Sequence, residues 1–238
     1  MVTLSVVIPT FQGDPEAVVK ELKHVFSSTS MEIIIVDDGS DSAWGLRIQR
    51  LATTYDNVSV IRLPRQRGQA YATLAGVASS QAEVVATMDD DGEHPATALP
   101  SMASLLKGPV NLVYGIAKKR NASGYRRLGT ALNNCLFAFC LGKPWKVPVT
   151  SFRVFRRDLL LRALRRPERF PYLSAMLFAA GARAEVYRYP EVPAREEAAR
   201  QTRYRLGSLI KLYARLVLHW GPLRIFSSFA GGSKEQFG

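Results

Sequence analysis

Cysteine is nearly absent from this 238-residue chain, with only Cys135 and Cys140, five apart inside an apolar helical pattern. So few, so placed, and with no secretory leader pattern ahead of them, they read as reduced core residues of a cytosolic protein, and no disulfide is expected. Long apolar runs are missing too: no stretch approaches the 18 uninterrupted residues that a spanning helix needs. There is no internal repeat and no low-complexity segment. Acids are scarce relative to bases, 20 against 32, giving a net charge of +12 and a pI near 10.0. A balance of that sign points to an anionic partner: nucleic acid, nucleotide, phosphate ester or an acidic membrane surface. No nucleic-acid-binding motif accompanies the charge, and the basic residues lie beside acidic turns, so nucleic acid is not expected. Finally, Pro9-Thr10-Phe11 stands where a dinucleotide-binding oxidoreductase needs a glycine-rich turn after its first strand, which excludes that class.

What is present is a regular alternation. Leu4 to Ile8 is a short β-branched run closed by Pro9, and Asp14-Pro15-Glu16 supplies an N-cap, a first-turn proline and a first-turn acid. The helix that follows places Val18, Leu22, Val25 and Phe26 on one face. Glu32 to Val36 is a second strand running into Asp37-Asp38-Gly39-Ser40, after which Ser42 is placed to cap a helix through about Tyr55. Val58 to Leu63, a helix from Gln69 to Ser80, and Glu83 to Met88 complete a β-α-β-α-β-α-β series with short connections. Such a series predicts an α/β fold whose parallel sheet is covered on both faces and whose ligands sit at the carboxyl ends of the strands. A helix from Ala96 to Lys107, a strand from Val110 to Ile116, a helix from Tyr125 to Leu141 and a last strand from Ala184 to Tyr189 extend it.

Chemistry concentrates at three places. The stretch Glu83 to Pro95, EVVATMDDDGEHP, is an apolar strand ending in carboxylates, and alternation puts Asp89 and Asp91 on one side with Glu93 a step further on. Close carboxylates repel unless a cation sits among them, and few hard oxygens suit Mg2+ or Mn2+ completed by phosphate and water. A solvated acidic turn capping the next helix would look the same. Next, Lys118, Lys119, Arg120, Arg126 and Arg127 form a basic loop around Gly124, and Arg153 and Arg156 alternate with apolar residues in SFRVFRRDLL, the pattern of a half-exposed strand with its charges in water. The charged segment Glu191 to Arg203 lacks apolar periodicity and reads as a mobile loop. From Tyr204 onward Leu206, Leu209, Ile210, Tyr213, Leu216, Val217 and Trp220 share one helical face, with Ser208, Lys211, Arg215 and His219 on the other. That stripe suits a membrane interface, and equally suits docking on the protein's own sheet.

Six segments in order, SVVIPTF (Ser5 to Phe11), IIIVDDGS (Ile33 to Ser40), RGQAYATLAGV (Arg67 to Val77), MDDDGEHP (Met88 to Pro95), SFRVFRR (Ser151 to Arg157) and GPLR (Gly221 to Arg224), resemble glycosyltransferase family 2. The chain is most similar to the polyprenyl-phosphate glycosyltransferases, the group of dolichol-phosphate mannose synthases and undecaprenyl-phosphate sugar transferases. This resemblance implies a GT-A nucleotide-sugar-binding fold, Rossmann-like, over residues 1–203, then an interfacial helix over 204–226 and a flexible tail over 227–238. It implies that Pro9, Phe11, Asp37, Asp38, Gln69 and Asp90 contact the nucleotide sugar, UDP- or GDP-linked. Asp89 and Asp91 take the family's aspartate-any-aspartate motif, with Glu93 beside them at the metal and Arg203 reaching the diphosphate. Departures are visible as well. Glu93 stands where the subgroup usually has glutamine, Asp90 and Gly92 where it tends to have alanine and leucine, and VPVTSFR lacks the glycines expected before the arginine motif.

The implied reaction is an inverting transfer. An alcohol acceptor needs a general base, whereas a phosphate acceptor with its second pKa near 6 is already ionised and needs cations to hold it. Alcohol-accepting relatives commonly carry a glutamate-aspartate pair late in the domain, and RPERFPYL has none. Polyprenyl phosphate is therefore the expected acceptor, with Arg120, Arg126, Arg127 and Arg153 gripping it at the inner face of the cytoplasmic membrane. The alternative is a hydroxyl on a glycan or small metabolite, with Glu168 or a residue of the Glu191 to Glu197 loop as base.

Overall fold

The computed structural model describes residues 3–27, 30–118, 138, 147–165, 171–190 and 219–220. Seven strands, β1 (Leu4–Thr10), β2 (Met31–Asp37), β3 (Val58–Arg62), β4 (Val84–Thr87), β5 (Leu112–Lys118), β6 (Arg153–Arg156) and β7 (Ala184–Pro190), form one sheet in the order β3-β2-β1-β4-β6-β5-β7. Strands β1 to β4 run parallel, β6 runs antiparallel to both β4 and β5, and β7 is again parallel to β5. The sheet is thus mostly parallel, as expected, with a single reversed strand inserted beside β4. Because β1 and β2 lead one way and β4 lies on the other side of β1, the order reverses between β1 and β4, where open α/β sheets form their ligand crevice.

Alternation along each strand builds two cores. Val6 and Ile8 of β1 face a cluster with Val18, Val19 and Leu22 of α1 (Glu16–Val25) and Ile48 and Leu51 of α2 (Ser42–Thr54). Val7 faces the other layer, with Ala72 and Val77 of α3 (Gln69–Ser79), and, further along the sheet, Leu159 and Leu160 of α5 (Arg157–Leu164) and Leu173 and Leu177 of α6 (Leu173–Ala179). Gly76 lets α3 lie close on this face, since a Cβ there would stand 2.4 Å from Val7 Cγ1 and 2.8 Å from Val36 Cγ2.

Several local expectations are corrected. Asp41, not Ser42, caps α2, its Oδ1 accepting the Trp44 N–H at 3.1 Å. The helix expected over Ala96 to Lys107 begins as a 3-10 turn at Ala96–Ala98 and continues as the short α4 (Leu99–Ser104), with Pro100 in its first turn. The strand expected over Val110 to Ile116 is shifted to Leu112–Lys118. Helices α5 and α6 occupy stretches for which the pattern predicted no helix, α5 taking the second half of SFRVFRRDLL. Strand β6 is not half-exposed: it lies inside the sheet, and Arg153 is only 8% exposed. Trp220 is 8% exposed and belongs to the core cluster around Leu160 and Leu173, so this side chain is spent on the protein and not on a membrane. The basic loop with Arg120, Arg126 and Arg127, the segment with Glu168, the loop with Arg203, and the rest of the amphipathic stripe lie outside the described residues.

Candidate active site between β1, β4 and β6

Because β6 is reversed, its first residues meet the last residues of β4, and the register pairs Thr87 with Arg153. A cavity of about 410 Å³ opens there, lined by Pro9 of β1, Gln69 and Thr73 of α3, Thr87 to Asp89, Val149 to Ser151, Arg153, and Tyr172 and Leu173. One end is anionic and the other cationic.

The anionic end is the turn after β4. Asp89 is gripped on both oxygens: Gln69 Nε2 donates to Oδ1 at 2.7 Å and Ser151 Oγ to Oδ2 at 2.6 Å. Its backbone N–H donates to His94 Nδ1 at 3.0 Å. An imidazole nitrogen that accepts there is unprotonated, so its 3.8 Å approach to Asp89 Oδ2 is no ion pair. His94 is held flat on Phe152, ring centroids 4.8 Å apart, and Phe152 meets Tyr189 edge-on. Asp91 accepts the Glu93 N–H on Oδ1 at 2.9 Å, while its Oδ2 carries no hydrogen bond and Glu93 itself is exposed. Asp90 points the other way, toward β1, where the Thr10 hydroxyl donates to it and Gly13 leaves the space it occupies. Burial pushes the Asp90 carboxyl up to about 6, the Thr10 bond opposes this, and the charges of Asp89 and Asp91 add to it. Burial also pushes Tyr189 up to about 12, helped by Glu93, Asp89 and Asp91.

Among the described residues no group of three or more His, Cys, Asp or Glu is arranged as a metal site. The donor set fits a divalent ion of another kind: an open one, held by hard carboxylate oxygen and completed by phosphate and water. Each Asp89 oxygen accepts a single hydrogen bond and keeps a further lone pair, and among the described residues Asp91 Oδ2 accepts none, so both carboxylates have lone pairs to offer such an ion.

At the cationic end, Arg153 donates through Nε to Thr87 Oγ1 at 3.0 Å and through Nη1 to Ser174 Oγ at 2.5 Å. Tyr114, fully buried, donates its hydroxyl to Ser174 Oγ at 3.0 Å, and its own proton is held more tightly because burial outweighs the attraction of Arg153. Every partner of the guanidinium is a neutral hydroxyl, and no carboxylate pairs with it among the described residues. A buried cation paired only with neutral hydroxyls at the wall of an open cavity has the charge and free donors to suit an anion.

Pro9 lines the cavity, and Phe11, just past the end of β1, is not among its lining residues and is 38% exposed. Asp37 and Asp38 are buried. Asp37 Oδ1 accepts the Ser40 N–H at 2.8 Å, and Oδ2 is left without a hydrogen bond, facing Arg62 Nε at 3.4 Å. Gly45 makes that approach possible, since a Cβ there would lie 2.2 Å from Arg62 Nη1. Both Asp38 oxygens accept backbone N–H groups, of Arg67 at 2.8 Å and Gly68 at 2.7 Å, so Asp38 shapes the loop before α3. Sequence reasoning missed Thr87, Ser151, Ser174 and Tyr114; the only signal was the Thr-Ser pair immediately before Phe152 and Arg153.

Comparison with known proteins fits this geometry. The Salmonella choleraesuis undecaprenyl-phosphate 4-deoxy-4-formamido-L-arabinose transferase is 27% identical over 94% of this chain and 70% of its own length. Its Proteus mirabilis counterpart is 26% identical over the same shares. Among solved structures, Mycobacterium tuberculosis glucosyl-3-phosphoglycerate synthase with phosphoglyceric acid superposes with a TM-score of 0.63 at 21% identity, covering 91% of this chain and 79% of that one. A Pyrobaculum calidifontis mannosyltransferase with GDP-mannose and Mn2+ gives 0.55 at 18% identity, covering 97% and 76%. The fold is the GT-A fold. The family model described as Glycosyl transferase family 2 matches residues 5–163, a span holding both the acidic turn and Arg153, and the chain belongs to that family of glycosyltransferases.

Proposed function

We propose that the protein moves a sugar from a UDP- or GDP-linked donor to a polyprenyl phosphate with inversion at the anomeric carbon. The observation that carries this is Arg153, a buried guanidinium with no carboxylate partner among the described residues, lining the same cavity as Asp89. In this reading Phe11 and Pro9 meet the base, Asp37, Asp38 and Asp90 shape its site from behind, and Gln69 and Asp89 orient the sugar. Asp91, with Glu93 beside it and Asp89 behind it, holds Mg2+ or Mn2+ against the diphosphate, and the ion supplies charge stabilisation for the departing nucleoside diphosphate. Arg153 holds the acceptor phosphate, with Arg120, Arg126 and Arg127 closing from outside the described residues and Arg203 reaching the diphosphate. A phosphate oxygen bonds to the anomeric carbon as the bond to the diphosphate oxygen breaks, so no proton has to be moved. Consistent with this, among the described residues Asp89 is the one carboxylate lining the cavity, and it already accepts a hydrogen bond on each oxygen.

The relatives named for undecaprenyl phosphate support that acceptor, and complexes of structural neighbours with UDP-glucose and Mn2+ or GDP-mannose and Mn2+ support the donor and the ion. The membrane-lipid acceptor of those relatives and the net charge of +12 support a place at the membrane surface on its cytoplasmic side. Among the described residues no helix is long and apolar enough to cross a membrane. The test is a panel of nucleotide sugars with undecaprenyl or dolichyl phosphate, and with soluble alcohols as the competing acceptors. Formation of a sugar phospholipid is the expected product, and transfer to an alcohol alone refutes the reading. Sedimentation with anionic vesicles, lost at high salt, is expected alongside it.

A further inference from the structure

Arg153 sits in the middle of a row that crosses three strands. The register pairs it with Thr87 of β4 on one side and with Tyr114 of β5 on the other, and directly opposed residues point to the same face of a sheet. All three rise toward α6, where Ser174 meets them. Ser174 Oγ accepts from Arg153 Nη1 at 2.5 Å and from the Tyr114 hydroxyl at 3.0 Å, so both of its lone pairs are taken. Two donors from different directions hold the serine in one rotamer. Without the tyrosine hydroxyl, a serine in the first turn of a helix is free to turn toward backbone groups instead. The Tyr114 ring is fully buried and lies against Phe178 of the same helix, with ring centroids 6.5 Å apart and an interplanar angle of 21°, so packing sets its position. Ring and hydroxyl thus have separate tasks.

We propose that Tyr114, acting through Ser174, is a positioning residue that fixes the Arg153 guanidinium so that its remaining N–H groups are presented to the acceptor phosphate. Thr87 on Nε and Ser174 on Nη1 hold the planar group at two points, and with one of them lost it turns about the other. This rests on the reading of Arg153 as the residue that holds the acceptor phosphate, and it adds two buried residues that act on the acceptor only through Arg153. The test is Tyr114→Phe, which removes the hydroxyl and keeps the ring, beside Ser174→Ala. With lipid phosphate in detergent, each variant raises the acceptor KM roughly five- to tenfold, the size of one hydrogen bond, while donor KM and kcat at saturating acceptor stay within about twofold of the parent. In the substrate-free protein, the Arg153 Nε–H signal in nitrogen-resolved magnetic resonance, assigned by its loss in Arg153→Lys, exchanges faster with water in both variants than in the parent. An unchanged acceptor KM in Tyr114→Phe overturns the proposal. So does a raised acceptor KM with the Arg153 signal unmoved, or a donor KM that rises equally, since either shows a role in packing alone. These failures leave the proposed function standing. A protein whose acceptor KM is untouched by Arg153→Met overturns the acceptor site itself and this inference with it.

Discussion

Replacing Arg153 by methionine removes the guanidinium while keeping most of its volume. Of the five N–H donors on arginine, two are used on the hydroxyls of Thr87 and Ser174, leaving up to three to face the cavity. A desolvated charge-assisted hydrogen bond contributes about 1.5–3 kcal/mol, so a two-point grip on phosphate is worth roughly 3–5 kcal/mol, or about a hundred- to several-thousand-fold in acceptor affinity. Stability should move much less. Among the described residues the buried charge has no counter-ion, and exchanging such a group for an apolar one of similar volume is often neutral, with the two hydroxyls losing about 1 kcal/mol each as an upper figure. Steady-state kinetics on lipid phosphate in detergent, with donor and acceptor varied separately, and a thermal melt in parallel test this. The expected result is a steep rise in acceptor KM with donor KM and melting midpoint nearly unchanged. Arg153→Lys should fall between, since it keeps the charge and loses the planar fork. A variant whose donor KM rises as much as its acceptor KM would refute the assignment and move Arg153 to the diphosphate.

Asp91→Asn should abolish metal-stimulated turnover by at least about a hundredfold without unfolding the protein, and undiminished activity of the parent in excess chelator would contradict the metal role. Asp90 should make stability fall as pH rises: its folded-state pKa of about 6 lies above the ordinary 3.8, so the penalty is absent below about 4, grows between 4 and 6, and levels off near an upper figure of about 3 kcal/mol. Asp90→Asn, melted with chelator present at pH 5 and pH 8, should remove that slope, and an unchanged slope would place the titrating group elsewhere. Gly76→Ala should cost about 1–3 kcal/mol in chemical denaturation despite alanine's better helix propensity, because its methyl would press on Val7 and Val36. A stabilised variant would show that α3 can lift off the sheet.

The order of elements through β4 and the apolar faces of α1 were legible in the sequence because they depend on local pattern alone: short continuous apolar runs at β1, β2 and β4, and a 3.6-residue repeat from Val18 to Phe26. So was the position of the acidic turn, since an apolar strand running into Asp89 to Asp91 sets where the carboxylates sit; that Asp90 turns toward Thr10 was not, because β4 ends at Thr87 and strand alternation does not reach it. Arg153 was a different matter. In sequence it alternates with Val154 and Phe155 as a charged residue on an edge strand would, and only the reversed insertion of β6 between β4 and β5 buries it. That pairing is non-local, joining residues 84–87 to 153–156, and no periodicity within either segment encodes it. The same holds for Ser151 on Asp89 and for Trp220 in the core: each contact is chosen by which segments of chain meet in space, so the residue types were set by sequence and their partners by the tertiary fold.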